Sequence, residues 1–171
     1  MVLPFSLTVV RISVDVRSLP VKSGQGFEIT VIYSQTGLLI VVLHGDSPDR
    51  PPTYQYRFAE IAATAISELK ARYHPRRVVL VGHSGGSAIM ANLLGQQGNI
   101  ADAALLVSCP CDLAEWRRHM QSMKRGAMWQ RPVHSLSPLS VIDAVPVSVR
   151  IWMLVGGDDQ VTPPALDACL C

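Results

Sequence analysis

Charge is scarce in this chain. Only 16% of its 171 residues are Asp, Glu, Lys or Arg, against roughly 25% in an average soluble domain. Hydrophobic residues make up 49%, which excludes intrinsic disorder, a state that needs low hydrophobicity and high net charge. Fifteen basic residues against 13 acidic ones leave a net charge of +2, too balanced for a nucleic-acid or membrane-surface partner. No apolar run reaches the ~20 residues of a membrane span. No basic region leads into a long apolar stretch at Met1, so no signal peptide is expected. Together these gaps predict one cytoplasmic domain over residues 1–171.

Cysteine is also sparse. The four cysteines fall in two close pairs, Cys109/Cys111 and Cys169/Cys171. A chain of this length needs no disulfide staples, and without an export signal the expectation is free thiols in a reducing compartment. Cys-x-Cys is not the usual spacing of zinc ligands, so no metal is expected. Internal repeats and low-complexity stretches are missing. So are G-x-G-x-x-G and G-x-x-x-x-G-K-[ST], which disfavours a nucleotide-binding module. No cofactor is expected.

The patterning that remains is that of alternating strands and helices. Leu7 to Val16 and Phe27 to Tyr33 are rich in β-branched residues and read as strands, parted by a turn at Ser23-Gly24-Gln25-Gly26. Leu38 to Leu43 is a short, continuous apolar run, suited to a parallel strand buried on both faces. Phe58, Ile61, Ala62, Ala65, Ile66 and Leu69 then recur with helical period until His74-Pro75. A strand follows over Val78 to Val81, and a small-residue helix over Ser87 to Leu94, ending at Gly95. Ala103 to Val107 is the next strand. Asp112 and Glu115 stand at capping-box spacing before Trp116. Val149 to Val155 is a last strand, after which Thr162-Pro163 reads as a helix N-cap with Pro at the first position. This order predicts an α/β fold: a mostly parallel open sheet, helices on both faces, and an antiparallel N-terminal hairpin.

In such sheets chemistry gathers beyond the carboxyl ends of the strands. Three segments fall there: His44-Gly45-Asp46, Ser84 and Asp159. Gly82-His83-Ser84-Gly85-Gly86 has the form G-x-S-x-G between a strand and a helix. A strand that turns abruptly into a helix strains the serine backbone and exposes its hydroxyl, and the flanking glycines give room. The Gly85 amide then lies at a helix N-terminus, where it can meet a developing oxyanion. A second amide, that of Asp46, is expected from the His44-Gly45-Asp46-Ser47-Pro48 loop. The plainer readings are a glycine-rich turn and a strand end without chemistry. His44 is expected to order its loop, and His83 to point away from the reacting centre.

The strand-His-Gly segment, G-H-S-G-G, and Gly156-x-x-Asp159-x-Val161-x-Pro163 together resemble the α/β-hydrolase superfamily over Leu38 to Pro164. That resemblance implies Ser84 as nucleophile, Asp159 rather than Asp158 as triad acid, and the Asp46 and Gly85 amides as oxyanion hole. Ser135-Leu136-Ser137-Pro138-Leu139 is similar to prolyl-oligopeptidase-type peptidases and related esterases.

The sequence also departs from the family pattern. The triad base is a histidine that follows the acid, and the 12 residues after Asp159 contain none. Of the other histidines, His74 ends a helix and His119 lies on a polar helix face beside Arg117 and Arg118. His134 lies in an irregular segment and is read as packing a loop rather than as a substitute base. Between His44 and Ser84 there is room for one helix, where the family places a helix, a strand and a second helix. The expectation is a shortened member whose hairpin has lost its strand partner, leaving an open edge and an apolar face partly uncovered. The mean hydropathy of +0.26 is compatible with this.

The segment 111–138 carries Trp116, Met120, Met123, Met128 and Trp129, which fit an apolar lid or ordinary helix packing. Arg117, Arg118, Lys124, Arg125 and Arg131 read as a solvated face. The expected function is a serine hydrolase of esters or amides, impaired by the missing base. A non-catalytic binding protein or inactive fragment is the other reading. The expected partners are a small ester or peptide substrate and a second copy held at the open sheet edge.

Overall fold

The apolar run Leu38–Leu43 forms the strand around which the sheet is built. In the computed structural model, which describes residues 7–14, 27–34, 36–43, 55–123 and 136–167, this run is β3, and its side chains alternate between buried and half-buried. β1 (Leu7–Val14) and β2 (Phe27–Ser34) pair antiparallel with each other. β4 (Arg77–His83), β5 (Ala103–Val107) and β6 (Arg150–Leu154) continue from β3 as parallel neighbours. The six strands lie in chain order, β1 to β6. This is the expected α/β sheet, with four parallel strands behind an antiparallel pair.

The N-terminal pair has not lost a partner, contrary to expectation. β2 lies directly on β3, with Ile29 opposite Leu43, Val31 opposite Val41 and Tyr33 opposite Leu39. The reason is that β3 and β4 are already parallel neighbours joined through α1 (Gln55–Tyr73). The other edge of β3 is therefore free to take β2, which buries Ile29 and Val31 to 1% exposure or less.

Cross-strand register carries one face through the sheet. Leu39, Val41 and Leu43 stand beside Val78, Leu80 and Gly82, then Ala104 and Leu106, then Ile151 and Met153. α2 (Gly85–Gln96) packs on β4 and β5, and α1 lies along α2. Residues 86–94 of α2 are all buried, so its run of small side chains is what lets it lie close to the strands. The opposite face carries Ile40, Val42, Val79 and Val81, which are half-buried. At its outer end Trp152 is 53% exposed and Leu154 57%. The expected partly uncovered apolar face is present.

Two expected boundaries moved for physical reasons. α2 runs through Gly95 to Gln96, because Gly95 is a point of close approach and not a cap. A Cβ there would come within 2.6 Å of the Val141 carbonyl oxygen. The last helix, α4, is Pro164–Asp167. It starts one residue later than read, with Pro163 rather than Thr162 directly before it and the Pro163 carbonyl accepting from the Leu166 amide at 2.8 Å. α3 (Leu113–Ser122) starts as read, with Asp112 accepting from the amides of Ala114 at 3.0 Å and Glu115 at 3.1 Å.

Cys109 and Cys111 are not free thiols but a disulfide pair. The Cys111 amide donates to the Cys109 carbonyl at 2.8 Å, a turn that points both buried sulfurs the same way and sets their Cα atoms 5.2 Å apart. That separation is within bridging range. Cys169 and Cys171 lie outside the described residues. Among the described residues no cluster of three or more metal-ligating side chains occurs, and no helix is long and apolar enough to cross a membrane.

Candidate active site

Ser84 stands between β4 and α2 with φ 55° and ψ −123°. An L-residue rarely adopts this backbone, and holding it costs about 1–3 kcal/mol. Its surroundings enforce the bend. The Ser84 amide donates to the Val107 carbonyl at the end of β5 at 2.8 Å, and its own carbonyl accepts from the Ser87 amide at 2.9 Å. Gly82 is required at its position, since a Cβ there would lie 2.6 Å from Ser87 backbone atoms and 2.7 Å from the Gly86 carbonyl oxygen. Gly85 begins α2, so its amide is among those that no helical carbonyl takes up.

Asp159 lies in the loop after β6, where its carboxylate is held on both oxygens. Oδ1 accepts from the amides of Val161 at 2.9 Å and Thr162 at 3.0 Å. Oδ2 accepts from the Ser108 hydroxyl at 2.8 Å. Partial burial pushes this carboxyl up. The bonds from Thr162, Ser108 and Val161, with the charge of His83, outweigh that effect and hold it below the ordinary value. Asp158 next to it is exposed.

One dipeptide joins the two residues. The Val107 carbonyl holds the Ser84 amide, and Ser108, the next residue, holds Asp159. Buried Ser87 locks the same point. Its hydroxyl donates to the Val107 carbonyl at 2.8 Å and lies 3.1 Å from the Val107 amide, which donates to it. The C-terminal edge of the sheet therefore brings Ser84, Gly85 and Asp159 to one region. Asp46, His44 and His134 lie outside the described residues, as do Met128 and Trp129.

His83 is exposed. One histidine does more than expected. His119 is no bystander on a polar face. Its Nε2 donates to the Gln160 carbonyl at 2.7 Å, while the Trp116 indole N–H donates to the Val161 carbonyl at 2.9 Å. α3 thus grips the acid loop one turn apart. His74, with φ 45°, ends α1 as read.

The sequence reading leaves out Ser108 and gives Thr162, Trp116 and His119 other roles: a helix N-cap, an apolar lid or packing residue, and part of a polar helix face. Ser108 was within reach, because it directly follows a strand at the carboxyl edge, where chemistry is expected. The Trp116 and His119 bonds are to backbone carbonyls, and no side-chain pattern announces those.

Comparison with known proteins bears on the family and the fold. Residues 13–167 match the alpha/beta hydrolase family. Among solved structures, a lipase/esterase from Lactobacillus plantarum is similar at 14% identity with a TM-score of 0.55, covering 95% of this chain and 83% of that one. An esterase of Pyrococcus furiosus is similar at 12% identity and 0.54, covering 97% and 77%. A prolyl endopeptidase is similar at 12% identity and 0.59, covering 96% of this chain but 31% of the longer enzyme. At such identities the likeness is one of fold. No curated protein matches by sequence.

Proposed function

The chain belongs to the α/β-hydrolase family, and from that membership we propose that it hydrolyses esters or amides through an acyl-enzyme on Ser84. The observation that carries the reading is the strained Ser84 backbone, φ 55° and ψ −123°, in a turn where Gly82, Gly85 and Gly86 surround it. A turn without a task for the hydroxyl would be served better by glycine at that position too.

In the proposed reaction the Ser84 oxygen attacks the substrate carbonyl carbon while its proton passes to an imidazole. The Gly85 amide, with an amide from the 44–48 loop such as that of Asp46, donates to the oxyanion. The adduct collapses, and the leaving group departs with that proton. Water then repeats the sequence, releasing the acid and restoring Ser84. Asp159 is the group that would hold such an imidazole in its working tautomer. The base is the weak member of this set. Among the described residues no histidine is hydrogen-bonded to Asp159, whose partners are Ser108, Val161 and Thr162. Turnover well below that of a complete triad is expected, the oxyanion donors supplying what remains.

The same observation favours a second reading, a non-catalytic hydrolase-like protein that holds a small acyl ligand. A fluorophosphonate decides between them. Covalent labelling that Ser84→Ala abolishes supports the hydrolase. A folded protein that takes no label supports the binding protein.

A further inference from the structure

Ser108 is the second serine at this edge held in the left-handed region, with φ 48°. Glycine would adopt that backbone without strain. The segment around it explains why the conformation persists. Its amide donates to the Leu154 carbonyl at 2.8 Å, tying it to β6. The residues that follow are fixed by the Cys109–Cys111 bridge. Its hydroxyl ends on Asp159 Oδ2 at 2.8 Å.

A carboxylate offers about four acceptor directions. On Asp159 the Val161 and Thr162 amides fill those of Oδ1, and Ser108 fills one of Oδ2. A single direction is left, on Oδ2. We propose that Ser108 is a positioning residue of this site, whose hydroxyl orients the Asp159 carboxylate and leaves one Oδ2 direction to hold an imidazole. Because Ser108 follows the residue whose carbonyl holds the Ser84 amide, the same strand end sets where nucleophile and acid stand relative to each other. The inference rests on Asp159 being the acid of the proposed triad.

The test compares Ser108→Ala and Ser108→Gly with the parent chain. Gly accepts the backbone without strain, so it keeps the fold even where Ala does not. Two quantities are read: the Asp159 titration midpoint by carboxyl NMR, and the rate of fluorophosphonate labelling at Ser84. The hydroxyl bond favours the ionised carboxylate. Both variants are therefore expected to raise the Asp159 midpoint, and Ser108→Gly to slow labelling by on the order of tenfold to a hundredfold while melting no earlier than the parent. A role confined to stability would shift the melting temperature and leave the midpoint in place, and that result overturns the inference. A raised midpoint with no labelling in any folded form supports the positioning role and overturns the hydrolase reading, so the two failures are separable.

Discussion

The Ser84 amide ends on the Val107 carbonyl at 2.8 Å, so the strained turn on β4 takes its anchor from the neighbouring strand. That carbonyl accepts a second bond from the Ser87 hydroxyl, which also receives the Val107 amide. Ser87 is 0% exposed, and removing its hydroxyl leaves a buried amide without a partner. Ser87→Ala is expected to cost about 1–3 kcal/mol of stability and to slow labelling at Ser84. Urea midpoints and labelling rates measured on the same sample check this. A variant that loses stability but labels at the parent rate would show that the anchor does not reach the nucleophile.

Ser84→Gly is expected to stabilise the chain. The substitution relieves a backbone strain of about 1–3 kcal/mol and gives back roughly 0.5–1 kcal/mol through the freer unfolded chain, for a net gain of about 1 kcal/mol. Ser84→Ala keeps the strain and is expected to melt close to the parent. Both variants take no label. Thermal unfolding of the three chains side by side shows whether the strain is real, and equal melting temperatures would say that it is not.

Much of this arrangement was legible in the residue pattern, and the remainder has identifiable causes. Leu38–Leu43 and Ala103–Val107 emerged with the boundaries read from their apolar runs, because a strand buried among parallel neighbours leaves a continuous signal. Asp112 was legible as a cap for the same kind of local reason. Gly95 was not, since its role depends on Val141, which is distant in sequence. The direct pairing of β2 with β3 was hidden because strand partnership is decided by which edges the crossovers leave free. At the site, Ser84 and Asp159 carried motifs. Ser108, which the structure sets between them, has only its position after a strand to give it away.

The Asp159 bonds make a prediction about acid. Its folded value lies below the ordinary 3.8, so the unfolded chain takes up the proton first as pH falls. The carboxylate therefore contributes stability that is fully present above pH 3.8 and is lost as pH drops through the lower folded value. Asp159→Asn has no such term, whereas the other carboxyls titrate alike in both proteins. Urea midpoints at neutral pH and below the folded Asp159 value are expected to show the parent losing more stability than Asp159→Asn. Equal losses would mean that the bonds from Ser108, Val161 and Thr162 do not favour the ionised form.

Self-association is expected at β6. Among the described residues this strand is one of the sheet's two edge strands, β1 being the other, and an edge strand's outer amides and carbonyls can pair with another strand. Trp152 at 53% exposure and Leu154 at 57% stand on the same side. A second copy of β6 added antiparallel about a twofold axis at Trp152 sets the two indoles opposite each other and each Arg150 opposite a Leu154. No like charges face one another, and aromatic cross-strand pairing contributes roughly 0.2–1 kcal/mol. Trp152→Lys would place two like charges at that axis, where they repel. Sedimentation velocity over a range of concentrations is expected to show a monomer–dimer equilibrium for the parent and a monomer for the variant. A parent that sediments as a monomer throughout, despite the open edge, would mean that two β6 strands do not pair.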